Sequence, residues 1–212
     1  MVAEAIKKNI YLASTSPRRV SILKELLEPF HLSFKSVSPT FKEVINGYPP
    51  KELVAVNAKG KVTTLQSEID NGSLLIGADT VVCIGNDIIG KPENKNEARE
   101  SLKKLSGRRH SVFTGVAVLD TASQKLFEGC EETIVTFHEL TDEDIESYVS
   151  TSEPLDKAGA YGIQGLGKIF VKKIDGGFSN VVGLPKKLTL SLLKQAGLRI
   201  YLRQSVKSAF LK

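Results

Sequence analysis

Three stretches of the chain concentrate residues able to do chemistry. The first is Ser14-Thr15-Ser16-Pro17-Arg18-Arg19. An apolar run of strand length, Ile10 to Ala13, precedes it, and Val20, Leu23 and Leu27 follow at helical spacing. Ser16 suits an N-cap and Pro17 the first helical position, so the segment reads as strand, tight loop, helix. Arg18 and Arg19 then fall in the first helical turn, where the macrodipole disfavours cations. An anion removes that conflict. Backbone N–H groups, three hydroxyls and two guanidinium forks would together hold phosphate. One such arginine alone would read as solvated; the whole cluster reads as a phosphate site.

The second stretch is Leu74-Leu75-Ile76-Gly77-Ala78-Asp79-Thr80-Val81-Val82-Cys83-Ile84, a strand pattern interrupted by one carboxylate. A charge inside a buried strand is costly unless it is paired, hydrogen-bonded or on a metal. Asp79 is therefore the first catalytic candidate, against the alternative of a structural ion pair. Gly77, two residues earlier, shares its face and leaves space there. A hairpin turn at Gly85-Asn86-Asp87 brings Ile88-Ile89 back, which carries Lys91 to the level of Asp79 to Val81. The third stretch, Glu153 to Gly167, packs four glycines into nine residues among Asp156, Lys157, Tyr161 and Gln164. Its apolar residues argue against a floppy loop, and glycine at that density permits close backbone approach.

The elements that must position these groups can be read around them. Leu32 to Val37 reads as a second strand. Ser38 to Tyr48 is irregular and carries Glu43. Pro49-Pro50 opens a helix to about Leu65, with Leu53, Val54, Ala58, Val62 and Leu65 inward and Lys59 and Lys61 flanking that face. Asn96 is placed to cap a helix ending at Ser106-Gly107. His110 to Leu119 and Glu131 to Phe137 read as antiparallel neighbours. Thr141-Asp142-Glu143-Asp144 starts a helix with capping-box chemistry. Lys168 to Ile174 reads as a strand, Pro185 to Ala196 as the last helix, and Leu198 to Lys212 as a basic tail without an assigned role. His110 has no partner at ligand spacing and reads as structural or substrate-orienting.

At 212 residues, 41% of them hydrophobic, the chain can bury a substantial core as one domain. The net charge of +5 suits an anionic partner. Aromatics at 7%, no Trp and no long Lys/Arg tract disfavour a base-stacking surface, so no stable nucleic-acid complex is expected. Cys83 and Cys130 have no CxxC spacing, and Met1 to Asn9 lacks a signal-peptide core. No run reaches membrane-spanning length. The expected compartment is a reducing cytoplasm.

These motifs resemble the Maf family of nucleotide pyrophosphatases. The matching segments are Leu12 to Arg19, Gly77 to Val82, Gly90-Lys91-Pro92, Leu105-Ser106-Gly107 with His110, Thr114-Gly115-Val116, Glu153 to Gly167, and Val182-Gly183-Leu184-Pro185. They stand in family order from about residue 10 to 195. The resemblance implies an α/β fold related to the inosine triphosphate pyrophosphatases, a mixed sheet with flanking helices and a cleft between two lobes. It implies hydrolysis of a nucleoside triphosphate to the monophosphate and pyrophosphate with a divalent metal, Mg²⁺ or Mn²⁺, and a homodimer is compatible with it. The family's phosphate-binding residues fall on Ser14, Arg18, Arg19 and Lys91, and its helix lysine on Lys59, with Lys61 as the alternative. Its essential aspartate falls on Asp79, as catalytic group and metal ligand, and an acidic metal-ligand position on Glu43. Arg18, Thr80 and Gln164 take the specificity positions. The glycine-rich stretch looks like the branch acting on dTTP and UTP. Gln164 offers donors and an acceptor to a uracil or thymine edge, and could equally serve a ribose hydroxyl. The rivals are a 7-methyl-GTP-preferring member of the family, a phosphatase acting on other phosphoesters, and a regulator that binds nucleotide or nucleic acid without chemistry. Asp79 would repel phosphate in a pure binder unless a metal intervened.

Overall fold

The computed structural model describes residues 8–200. At its centre lies β3 (Leu74–Ile84), buried at every position except Thr80 and Ile84. One edge of β3 is paired almost throughout. There β5 (Arg109–Asp120) runs antiparallel to it from Leu74↔Asp120 to Cys83↔Ser111. Beyond β5 the sheet continues through β6 (Lys125–Phe137) and β7 (Val171–Asp175). The other edge is divided between two strands. β1 (Ile10–Ala13) pairs parallel with Leu74–Ile76, and β4 (Asp87–Ile89) pairs antiparallel with Val82–Ile84. β2 (Lys35–Val37) lies outside β1. The result is a seven-stranded mixed sheet in which Gly77 to Val81 has no strand along one edge.

Side-chain alternation assigns each residue of this region to a face. Ile10, Leu12, Leu74, Ile76, Ala78 and Val82 point into the larger core, which α1 (Pro17–Leu27), α3 (Lys95–Leu105), α4 (Asp142–Ser150) and α6 (Lys186–Gln195) cover. Tyr11, Ala13, Leu75, Ala117 and Leu119 point the other way, against Ala58, Val62 and Leu65 of α2 (Pro50–Leu65). The helix lies almost on the strand because of Gly77. A Cβ there would sit 2.4 Å from the Ala58 carbonyl oxygen and 2.8 Å from Val62. The space that Gly77 leaves is thus filled by helix backbone.

Several boundaries differ from the sequence reading. The cap of α3 is Asn94, whose side chain accepts from the Asn96 and Glu97 amides, so Asn96 is already inside the helix. β6 starts at Lys125, not Glu131, because Leu126 and Phe127 pair with Leu119 and Val118 even though Glu128-Gly129 interrupts the pattern. β2 begins at Lys35, while Leu32 and Phe34 pack against the core from the preceding loop. Leu166–Phe170 forms a 3₁₀ turn that buries Phe170 and exposes Lys168 and Ile169, which delays β7. A short helix, α5 (Phe178–Val182), precedes α6. Residues 1–7 and residues 201–212 of the basic tail lie outside the described residues. Among the described residues, no helix is long and apolar enough to cross a membrane.

Candidate active site

The site forms where β3 lacks a neighbour. With the edge open between β1 and β4, side chains from both faces of β3 reach one cleft of about 1010 Å³. Asp79 shares the α2 face with Leu75, and Thr80 shares the opposite face with Ile76 and Val82. One wall comes from the β1–α1 loop, α2 and the Glu43 segment. The other comes from Gly90-Lys91 and the glycine-rich segment.

Asp79 is 6% exposed, and each of its oxygens accepts one hydrogen bond. Its Oδ1 accepts from Lys61 Nζ at 2.7 Å and its Oδ2 from Asn57 Nδ2 at 2.9 Å. Asn57 and Lys61 stand four residues apart on α2, so both project from one helix face onto β3. Asn57 also exchanges two hydrogen bonds of 2.9 Å with the backbone of Val44. That clasp fixes the irregular segment carrying Glu43, whose Oε1 lies 2.6 Å from Lys61 Nζ. Burial pushes the Glu43 carboxyl up, but the charge and hydrogen bond of Lys61, helped by Lys91 and Arg19, hold it below its usual range.

This arrangement corrects one expectation. Lys59 is exposed and lies outside the cleft, whereas Lys61, the alternative, lines it. Two residues turn a helix by about 200°, so both lysines cannot face β3. Lys61 is 3% exposed, and its ammonium also donates to the Ala78 carbonyl at 3.1 Å.

The β1–α1 loop supplies the anion side. Ser14 Oγ accepts from the Ser16 amide at 3.2 Å. Ser16 occupies the N-cap position as the sequence reading places it, but its side chain makes no capping bond. Val20 is the first residue of α1 to donate back into the helix, to Ser16 O. The amides of Arg18 and Arg19 precede it, as an anion site at a helix start requires. Arg18 Nη1 pairs with Asp156 Oδ2 at 3.1 Å across the cleft mouth. Arg19 donates from Nε to Gly183 O at 2.9 Å and from Nη2 to Thr80 Oγ1 at 3.2 Å. Burial lowers the Arg19 pKa from its ordinary value, opposed by Asp79 and Glu43. Val82 pairs with Ile89, so Lys91 continues to the level of Thr80 and lines the cleft, as the hairpin count predicts. Gln164 is exposed on the same lining.

Around this centre the sequence reading had assigned no role to Asn57, Asp156, Thr114, Asn180 or Gly183. Asn57 was legible in principle, as the one amide on an apolar helix face. His110 is buried behind the cleft, with Nε2 3.0 Å from the hydroxyl of Tyr161, a lining residue. Burial lowers its pKa to about 4, so it is neutral near pH 7. Cys83 is buried, and burial raises its thiol to about 11, which suits packing rather than nucleophilic attack.

Among the described residues, no group of three or more His, Cys, Asp or Glu is placed to hold a metal. Asp79 and Glu43, however, both approach a single cation, the Lys61 ammonium. These are hard oxygen donors of the kind a divalent ion takes, and such an ion would have to share them with that ammonium.

Residues 9–196 match the Maf-like protein family throughout. The chain belongs to that family. Relatives of this Maf-like chain include the dTTP/UTP pyrophosphatase of Dictyoglomus thermophilum, 46% identical over 194 residues, covering 91% of this chain and 98% of the relative. The dTTP/UTP pyrophosphatase of Bacillus cereus is 46% identical over 189 residues, covering 89% and 95%. A partial backbone likeness, with TM-score 0.42 and 16% identity over 61% of this chain and 72% of the other, is to a nucleoside-triphosphatase / dITP/XTP pyrophosphatase from Mycobacterium abscessus.

Proposed function

We propose that this chain is a nucleoside triphosphate pyrophosphatase that hydrolyses dTTP and UTP to the monophosphate and pyrophosphate. The observation that carries the reaction type is Asp79, buried in a largely apolar strand, held by Lys61 and Asn57 and facing an arginine-lined cleft. The choice of dTTP and UTP follows from the relatives of that name. A cytoplasmic nucleotide pool is the compartment that suits this activity.

In this reading, Ser14, the α1 amides, Arg18, Arg19 and Lys91 bind and neutralise the triphosphate. Arg18 exchanges Asp156 for a phosphoryl oxygen as substrate enters. Asp79 orients the attacking water and takes its proton at a carboxylate oxygen, while Lys61 and Asn57 keep that carboxylate in place. Gln164 meets the pyrimidine edge from the glycine-rich wall, with its donors and acceptor. A divalent cation held by Asp79 and Glu43 would supply Lewis acidity to the phosphoryl group undergoing attack.

The test is product analysis on dTTP, UTP, CTP, GTP and 7-methyl-GTP with Mg²⁺. Pyrophosphate release with the highest kcat/KM on dTTP and UTP supports the proposal, and exhaustive EDTA treatment should abolish it. Orthophosphate release, or no hydrolysis at all, would sink the reaction assignment. A preference for 7-methyl-GTP would overturn only the choice of base. In Asp79→Asn, kcat should fall by about 10²- to 10⁴-fold with nucleotide binding retained, the usual scale for a lost general base.

A further inference from the structure

Arg19 stands at the cleft end of a run of hydrogen bonds that continues into the core. Its Nη2 donates to Thr80 Oγ1 at 3.2 Å, and Thr80 Oγ1 lies 3.0 Å from Thr114 Oγ1. Thr114 Oγ1 donates to the Asn180 carbonyl oxygen at 2.9 Å. Thr114 and Asn180 are both fully buried. The Asn180 side chain donates to Val112 O and Thr133 Oγ1, each at 2.9 Å, which ties α5 to the sheet.

One placement of the protons makes every contact in this run a hydrogen bond. A carbonyl oxygen only accepts, and a hydroxyl has one proton to give. The Thr114 proton is therefore committed to Asn180 O, and Thr114 can meet Thr80 only as acceptor. The single Thr80 proton must then point at Thr114, away from the cleft. A guanidinium only donates, so Thr80 accepts from Arg19. Three donors in series point inward, each polarising the next.

We infer that Thr114, anchored on the Asn180 carbonyl, is a positioning residue for Arg19 and leaves Thr80 as an acceptor-only group in the cleft. Thr80 has no proton for a phosphoryl oxygen, so it does not bind phosphate. It holds the guanidinium instead, with Gly183 O holding Nε. Two of the five N–H groups of Arg19 are thereby fixed to the protein, which leaves three for an anion. Gly183 is where this constellation needs glycine. Its φ is +118°, and a Cβ would approach Thr80 Oγ1 to 3.3 Å and Arg19 Nε to 3.5 Å.

The inference rests on the reading of Arg19 as a phosphate ligand, so its test uses an anion without base or turnover. Inorganic tripolyphosphate binding is measured by calorimetry on the full chain. Thr114→Val keeps the shape and removes the hydroxyl, and it should weaken binding about tenfold. Thr114→Ser should stay within about twofold of wild type, since serine supplies the same hydroxyl. In an Arg19→Gln background, Thr114→Val should add less than about twofold, because coupled residues do not add. A purely structural role would give the same loss with or without Arg19. If Thr114→Val fails to fold, the half-buried Thr80→Val interrupts the same run and must show the same coupling to Arg19. Normal binding by Thr114→Val beside a weakened Arg19→Gln overturns the inference alone, as does an undiminished Thr114→Val effect in the Arg19→Gln background. Unchanged binding in Arg19→Gln overturns the phosphate reading and the inference together.

Discussion

Lys61 shows how much one helical position decides. It is buried between two carboxylates, whereas Lys59 is solvated. Removing one partner of a buried ion pair leaves the other charge uncompensated, at a cost of about 3–5 kcal/mol. Lys61→Ala should therefore lose most turnover and a few kcal/mol of stability in urea unfolding. Lys59→Ala should change stability by less than about 0.5 kcal/mol and leave kcat alone. Equal effects from the two would contradict the geometry. His110 makes a prediction of a different kind. Its native pKa of about 4 is depressed by burial from the ordinary value of 6.5. The unfolded chain then binds a proton at pH values where the native state does not. Stability from this group is complete above about pH 6.5 and declines as pH falls towards 4, by roughly 3 kcal/mol over the whole window. Urea midpoints at several pH values should show that slope in wild type and a shallower one in His110→Phe.

At the scale of elements, the site depends on where strands and helices begin and stop. β1 and β4 each pair with only three residues of β3, and the open edge between them is what makes a cleft. α2 reaches Asp79 because Gly77 lets its backbone approach the strand. Helix α3 offers a clean test of element boundaries. Asn94 Oδ1 accepts two first-turn amides, while Asn96 Oδ1 only receives a bond from the half-buried Arg99. Asn94→Ala should cost about 1 kcal/mol, the usual loss for an N-cap, and Asn96→Ala a few tenths at most. Comparable midpoint shifts in denaturant would place the cap elsewhere. The sequence reading chose Asn96 because either asparagine precedes the apolar positions Ala98, Leu102 and Leu105, and spacing alone does not distinguish them.

At the scale of the molecule, the cleft gathers residues from Ala13 to Gly183, so an occupant would bridge segments remote in the chain. Saturating Asp79→Asn with UTP and Mg²⁺ at about a hundred times Kd should add about 2.7 kcal/mol. For a chain of this length that raises Tm by roughly 5–10 °C. No shift would mean that the nucleotide does not bind the native state. Local patterns alone determined the strand–loop–helix around Ser14 to Arg19, the buried strand carrying Asp79, the hairpin that brings Lys91 back and the capping box of α4. Each is a short-range consequence of turn chemistry, side-chain alternation or helical spacing, and each is legible within about a dozen residues. Only the tertiary structure decided which lysine of α2 meets Asp79, because that depends on the rotation of the helix against β3. The same holds for Asn57 clasping Val44, Arg18 meeting Asp156, and the run from Arg19 through Thr80 and Thr114 to Asn180. These contacts join residues 13 to 138 positions apart. Their partners are selected by packing and by the need to satisfy buried polar groups, neither of which leaves a periodic mark on the sequence.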